Sequence, residues 1–337
     1  MTRPNGITLR DVARRASVSA MTVSNVANGR VDQVGPEIFA RVQAAISELG
    51  YKPHLRGRSL RLGRHFAVGL LIVHPDRRFL DDPFMTEVTA GMCNQLADAG
   101  YGLVVIGAAS LDDIATRISH AQHLDGMAVL THGTAAERNA LYDRVTASGL
   151  PSVVIGDRLA PVAEDRASLS ITDREGAATL ARRLIERGAR RILFLRSQPI
   201  WPMMEEREAG LRDCLAGGVE VMGCPEFDID ATTALLKARL QAGNPPDAIM
   251  GGNDILAIAA LRAAGEVGLS VPGDLAVTGF NGFSLRRLAA PDLTSVQAPA
   301  YALGVSVAQA LQSRLDRGSF GPAAPPLPAV ILEGTTG

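Results

Sequence analysis

Between Thr8 and Asn28 the chain carries a run of short hydroxyl and amide side chains, set among apolar residues at helical spacing within a basic segment. Residues 1–64 hold eleven Arg and Lys against four Asp and Glu, a net of +7, while the whole chain of 337 residues stands at −1, which leaves −8 for the remainder. Such a head is suited to neutralising phosphate, the source of most sequence-independent affinity for nucleic acid. Other chemistries find little support. Cys93, Cys214 and Cys224 are odd in number and widely separated, with neither a CxxC pair nor metal spacing, so reduced thiols are expected. The six His are scattered, and no GxGxxG after a strand, GxxxxGK, GxSxG or HExxH occurs, so neither an enzyme nor a cofactor is expected.

The polar run needs helices to present it. Thr8, with Asp11 three residues on, marks a helix start, and Leu9, Val12, Ala13 and Ala16 give its apolar face. A turn at Ser17-Val18 leads to Ser19, which caps a second helix over 20–28. In that helix Val23 and Val26 face inward and Met21, Thr22, Ser24 and Asn25 are left outward. A third helix opens at Gly35-Pro36-Glu37, places Ile38, Val42, Ile46 and Leu49 on one face, and stops at Gly50. Two short helices and a third that closes a small core make a helix-turn-helix unit. The basic segment HLRGRSLRLGR that follows lacks an apolar face of its own and reads as a linker that orders only against a partner.

From Phe66 onward, apolar strands alternate with helices. Strands are expected at 67–73, 102–107, 126–130, 151–156, 168–171, 190–195, 247–252 and 275–280, in two series broken near Asp157 to Arg166. With 47% hydrophobic and 20% charged residues the chain has material for more than one core. The reading is an all-α head (1–50), a linker segment (51–64) and a ligand-binding body (65–337) of two α/β lobes with parallel sheets. A ligand is expected in the cleft at the strands' carboxyl ends. No run of about eighteen apolar residues and no signal-peptide core is present, so a cytoplasmic protein without a membrane partner is expected.

The ordered set ITLRDVARRASVSAMTVSNVANG, ELGYKPHLRGRSL, DPFMTEVTAGM, RRILFL, REAGLR, GGNDILAIAALRAAGEVGLSVPGDLAVTGFN and APDLTSV resembles the lactose-repressor (LacI/GalR) family of transcription regulators along essentially the whole chain. The resemblance makes the linker 51–64 a hinge and the body 65–337 a periplasmic-binding-protein-like effector-binding and dimerisation domain. It implies a homodimer on a near-palindromic double-stranded operator. Its DNA affinity would be set by a small-molecule effector, commonly a sugar or sugar acid. By position it places Ala20, Met21 and Asn25 at base edges and Thr8, Ser19, Thr22, Ser24 and Asn28 at the DNA backbone. The family most often has Arg where this chain has Asn25, a change that favours adenine over guanine. The loop Gly29 to Val34 is one residue longer than usual, and Gly35 replaces the usual Ser or Thr cap. Leu60 falls at the hinge wedge of the minor groove, flanked by Tyr51, His54 and Arg58.

In the body the resemblance points to Phe84, Arg207, Phe227, Asn253, Asp254 and Asn281 as effector contacts. Alternatives stand beside several of these: Phe84 as core, Asp254 as a helix cap, and Asp173 as a cap and not a ligand. Arg207, among Glu205, Glu206 and Glu208, is poorly explained by local pairing and would suit a carboxylate. Without leucine heptads in the tail, a dimer is expected over a tetramer.

Overall fold

The computed structural model describes residues 7–337 apart from 28–32, 52–62, 77, 111–112, 115–116, 119–122, 159–161, 216, 218, 290 and 323. The chain divides into two compact units, residues 1–65 and 66–337.

In the first unit, α1 (Leu9–Ala16), α2 (Ala20–Ala27) and α3 (Pro36–Leu49) close around Val12, Ala16, Val23, Val26, Val42 and Ala45. The capping box forms at the start of α1: the Thr8 hydroxyl accepts from the Asp11 amide while the Asp11 carboxylate accepts from the Thr8 amide at 2.9 Å. Gly50 ends α3 at φ +60°, the left-handed turn that glycine adopts without penalty.

The second unit holds two sheets. The first has the order β2-β1-β3-β4-β5, all parallel, from β1 (Ala67–Val73), β2 (Gly102–Ala108), β3 (Gly126–Thr131), β4 (Ser152–Ile155) and β5 (Arg166–Leu169). The break between the strand series therefore lies after Leu169 and not near 157–166: β5 pairs with β4 in the first lobe. The second sheet takes the order β11-β10-β9-β8-β6-β7. It comprises β6 (Ile192–Gln198), β7 (Val219–Pro225), β8 (Ala248–Gly251), β9 (Ala276–Asn281), β10 (Thr294–Gln297) and β11 (Val330–Leu332), and only β11 pairs antiparallel. Strands β7, β10 and β11 were not expected.

Helices α4 (Pro83–Asp98) and α5 (Ala135–Ala147) belong to lobe 1, and α6 (Asp173–Glu186), α7 (Pro202–Cys214), α8 (Ile229–Gln241) and α9 (Asp254–Glu266) to lobe 2. Helix α10 (Ala300–Arg317) leaves lobe 2 and packs on α4, β3, β4 and β5 of lobe 1 before the chain returns to form β11. Where α4 and α10 cross, Gly91 and Gly304 let the backbones touch: a Cβ on Gly304 would collide with the Val88 carbonyl, and one on Gly91 with that of Tyr301. Gly304→Ala is accordingly expected to cost about 1–3 kcal/mol by overpacking. Urea unfolding should report the loss, and a variant as stable as the parent would show that the crossing has slack. Among the described residues no helix is long and apolar enough to cross a membrane.

Candidate functional site

The outer face of α2 is built as the polar run demands. Val23 and Val26 are buried, whereas Ala20 and Met21 are exposed, Met21 by 68%. The Ser19 hydroxyl accepts from the Thr22 amide at 3.1 Å and lies 2.9 Å from the Thr22 hydroxyl. Asn25 donates to Gln33 at 3.2 Å, which holds the amide at the surface of the helix. Thr8 and Ser24 complete the described part of the set, Thr8 exposed and Ser24 half-buried. Tyr51 corrects the reading of a hinge side chain: it is 7% exposed and packs into the head's core. Asn28, His54, Arg58 and Leu60 lie outside the described residues.

In the second unit the carboxyl ends of both sheets' strands converge on a cavity lined by Asp82, Phe84, Met85, Leu130, Trp201, Met203, Met204, Arg207, Glu226, Asn253 and Asn281. It encloses about 20 Å³, room for a water molecule and not for a sugar. A larger hollow of about 700 Å³ lies beside it, shares Glu226, and is lined by His74, Phe227, Asp228 and Arg262 among others.

Lobe 1 grips lobe 2 around this point. The His74 ring stacks on Trp201 at 5.6 Å and meets Phe227 edge-on at 5.2 Å, and His132 meets Trp201 edge-on at 5.6 Å. Burial holds both imidazoles below the usual histidine range, so they are neutral at pH 7. At the rim, Arg138 joins Asp157 at 2.8 Å to Glu205 of lobe 2 at 3.0 Å.

Arg207 is 1% exposed and already partnered. Its Nε donates to Asp173 at 2.8 Å, its Nη1 to the Gly252 carbonyl at 2.6 Å, and its guanidinium lies 3.8 Å over the Phe280 ring. Asp173 is thus an ion-pair partner and not the helix cap, which falls at Thr172. Burial outweighs the guanidinium's pull and pushes Asp173 up to about 6.

Asn253 caps α9 by accepting from the Leu256 amide at 3.0 Å and donates to Glu226, and Asp254 is therefore not the cap. The Asp254 carboxylate accepts instead from the Phe283 amide at 2.9 Å and from the Ser295 hydroxyl, away from the cavity. Asn281 lines the cavity at φ 101°, a conformation rare for a non-glycine residue, and its buried Oδ1 has no hydrogen-bond partner among the described residues. Phe84 is buried in the cavity wall, while Phe227 faces the outer hollow.

Residues 8–54 match the profile of bacterial regulatory proteins of the lacI family, and residues 181–336 that of a periplasmic binding protein-like domain. The HTH-type transcriptional regulator CelR of Thermobifida fusca is 30% identical over 328 residues, covering 94% of this chain and 94% of that protein. The chain belongs to the LacI family. A CelR–cellobiose complex superposes with a TM-score of 0.72 at 29% identity, covering 99% of this chain and all of that one (100%). A lac repressor dimer bound to operator and the anti-inducer ONPF shares the fold with a TM-score of 0.83 at 22% identity, covering 98% and 99% of the two chains.

This LacI-family protein is thus a DNA-binding transcription regulator whose effector domain has the two-lobed α/β architecture. Sequence reasoning missed Asp82, Glu226 and Trp201, which line its cavity together with the anticipated Phe84, Arg207, Asn253 and Asn281. Signals for two of them were present: Trp201 is the chain's single Trp, and Asp82 precedes a Pro that opens a helix.

Proposed function

We propose that this LacI-family regulator is a homodimeric repressor of a near-palindromic operator, and that a sugar bound between the two lobes sets its affinity for DNA. It is a binding protein and not an enzyme, and it works in the cytoplasm beside bacterial DNA. The carrying observation is the cavity at the strand ends of both sheets, where aromatic faces stand beside buried oxygen acceptors. Closed as it is, it holds only a water, so the sugar enters as the two lobes part. CelR's complex with cellobiose supports the sugar class.

On DNA, Ala20, Met21 and Asn25 read base edges while Thr8, Ser19, Thr22, Ser24 and Asn28 hold phosphates. The hinge 51–64 contributes Leu60 as a minor-groove wedge, with His54 and Arg58 beside it. Ligand binding favours one arrangement of the lobes and so one setting of the paired hinges.

Selection of bound duplexes from a random pool should return near-palindromic half-sites, which the full chain retards and a protein beginning at Arg64 does not. Leu60→Ala should lower the operator-to-random affinity ratio and leave random-duplex binding unchanged, because phosphate contacts supply the latter. Selection without any enriched site would remove sequence-specific repression, and an unchanged ratio would reduce the hinge to a tether.

A further inference from the structure

The cavity's charge is unbalanced. Arg207, its cation, is committed to Asp173 and the Gly252 carbonyl. Asp82 and Glu226 also line the wall, 7% and 3% exposed, and no ion pair to either occurs among the described residues. Glu226 takes the Asn253 amide on one oxygen and has the Trp201 indole N–H beside it, yet its Oε2 is buried without a well-formed hydrogen bond, as is the Oδ1 of Asn281 on the same wall. One Asp82 oxygen accepts from the Phe84 amide at 2.8 Å. Unpartnered acceptors that converge beside the rings of Trp201 and Phe84 ask for a donor that brings positive charge.

Building on the sugar-binding reading above, we propose that the effector is an amino sugar whose ammonium group sits between Glu226, Asp82 and the Asn281 amide oxygen. With the lobes parted to admit it, the pyranose lays its apolar face against the indole of Trp201 and the ring of Phe84. The groups around Glu226 fit this placement. Asp82 faces it from the start of α4, Arg207 and Asp173 form a closed pair from α7 and α6, and Asp254 stands at the start of α9. His74 and His132 reach it from β1 and β3 through Trp201 and are held neutral by burial.

Burial and the neighbouring Asp82 push Glu226 up to about 8, and burial pushes Asp82 up to about 6. Near pH 7 Glu226 therefore keeps its proton until a cation arrives. Binding of an ammonium then releases that proton, so affinity rises with pH until the ligand's own amine begins to lose its proton, at about 7.7–8.0 for an α-amino group. A carboxylate-bearing ligand would meet the opposite balance.

The test uses the full-length protein and calorimetry with glucosamine, galactosamine and mannosamine, each beside its parent hexose and its N-acetyl derivative, and with glucuronate. At least one free amine should bind roughly tenfold to a hundredfold tighter than its two neutral partners, as a charge-assisted hydrogen bond provides. Protons should be released in buffers of differing ionisation enthalpy, and Glu226→Gln and Asp82→Asn should each abolish most of the preference for the amine. A hexose or glucuronate that binds as well as any amine, with affinity lowered by Glu226→Gln, overturns the amine and leaves the effector cleft standing. Binding of an amine unaffected by both substitutions moves the ligand out of the cleft and overturns both readings. The absence of binding by every amine overturns the proposal.

Discussion

Arg207→Ala is expected to destabilise the α/β body by about 3–5 kcal/mol, the usual result of removing one partner from a buried pair. The loss has three parts. Asp173, 1% exposed, is left without its cation at 2.8 Å, the Gly252 carbonyl loses its donor, and the Phe280 ring loses the guanidinium stacked on it. Asp173 already inclines toward protonation, so in the variant it takes up a proton near neutral pH, which limits the damage. Adding Asp173→Asn to Arg207→Ala should recover part of the stability, and urea unfolding of the four proteins of this cycle measures the coupling directly. If Arg207→Ala alone costs under about 1 kcal/mol, the pair does not hold α6 to α7.

Glu226→Gln is expected to raise stability, by an amount that grows with pH. The folded-state value of Glu226, pushed up to about 8 from an ordinary 4.5, means that the fold prefers the protonated acid. That contribution is fully present below about pH 4.5 and is lost as pH climbs through about 8, a difference on the order of a few kcal/mol. Asp82, raised by burial to about 6, acts in the same direction over a lower window. His74 and His132 act oppositely: their lowered values remove stability as pH falls below about 6.5. Comparing the parent with Glu226→Gln isolates the carboxylate. Their melting temperatures should nearly coincide at pH 5 and separate by pH 8.5, with the variant higher. Parallel curves over that range would mean that Glu226 ionises freely in the fold. Function asks for the costlier side chain, a familiar tension between stability and a binding site.

Most of the scaffold was legible because its signals are local. The Thr8–Asp11 box, the Pro36 start and the Gly50 stop delimit helices by backbone chemistry that needs no tertiary partner. Strands β1, β3 and β6 are central, buried on both faces, and so appear as unbroken apolar runs. Strand β7 escaped because it is an edge strand, half-exposed and interrupted by Glu220 and Gly223. Strands β10 and β11 are short and find their partners across long sequence separations. The same holds for the site. Arg207 stood out by its acidic neighbours, but its partner Asp173 lies 34 residues away on another helix. Glu226 looks like any loop carboxylate until the fold buries it beside Asp82.

The order in which the polypeptide emerges from the ribosome gives the crossing of α10 a further meaning. The first lobe has all five of its strands by residue 169, yet the α4 face bearing Val88 and Met92 stays bare until α10 is made at 300–317. The second lobe waits longer still, since Thr336 accepts from the Thr294 amide at 2.9 Å where β10 begins and its carbonyl accepts from the Val277 amide of β9. Half-made chains thus expose apolar surface through most of their synthesis, which makes them clients for chaperones. The head, in contrast, is whole by residue 51. A message truncated at codon 298 would yield a protein with an intact DNA-binding head and all the residues of the cleft wall, but without the helix that covers α4, and hence a regulator deaf to its ligand.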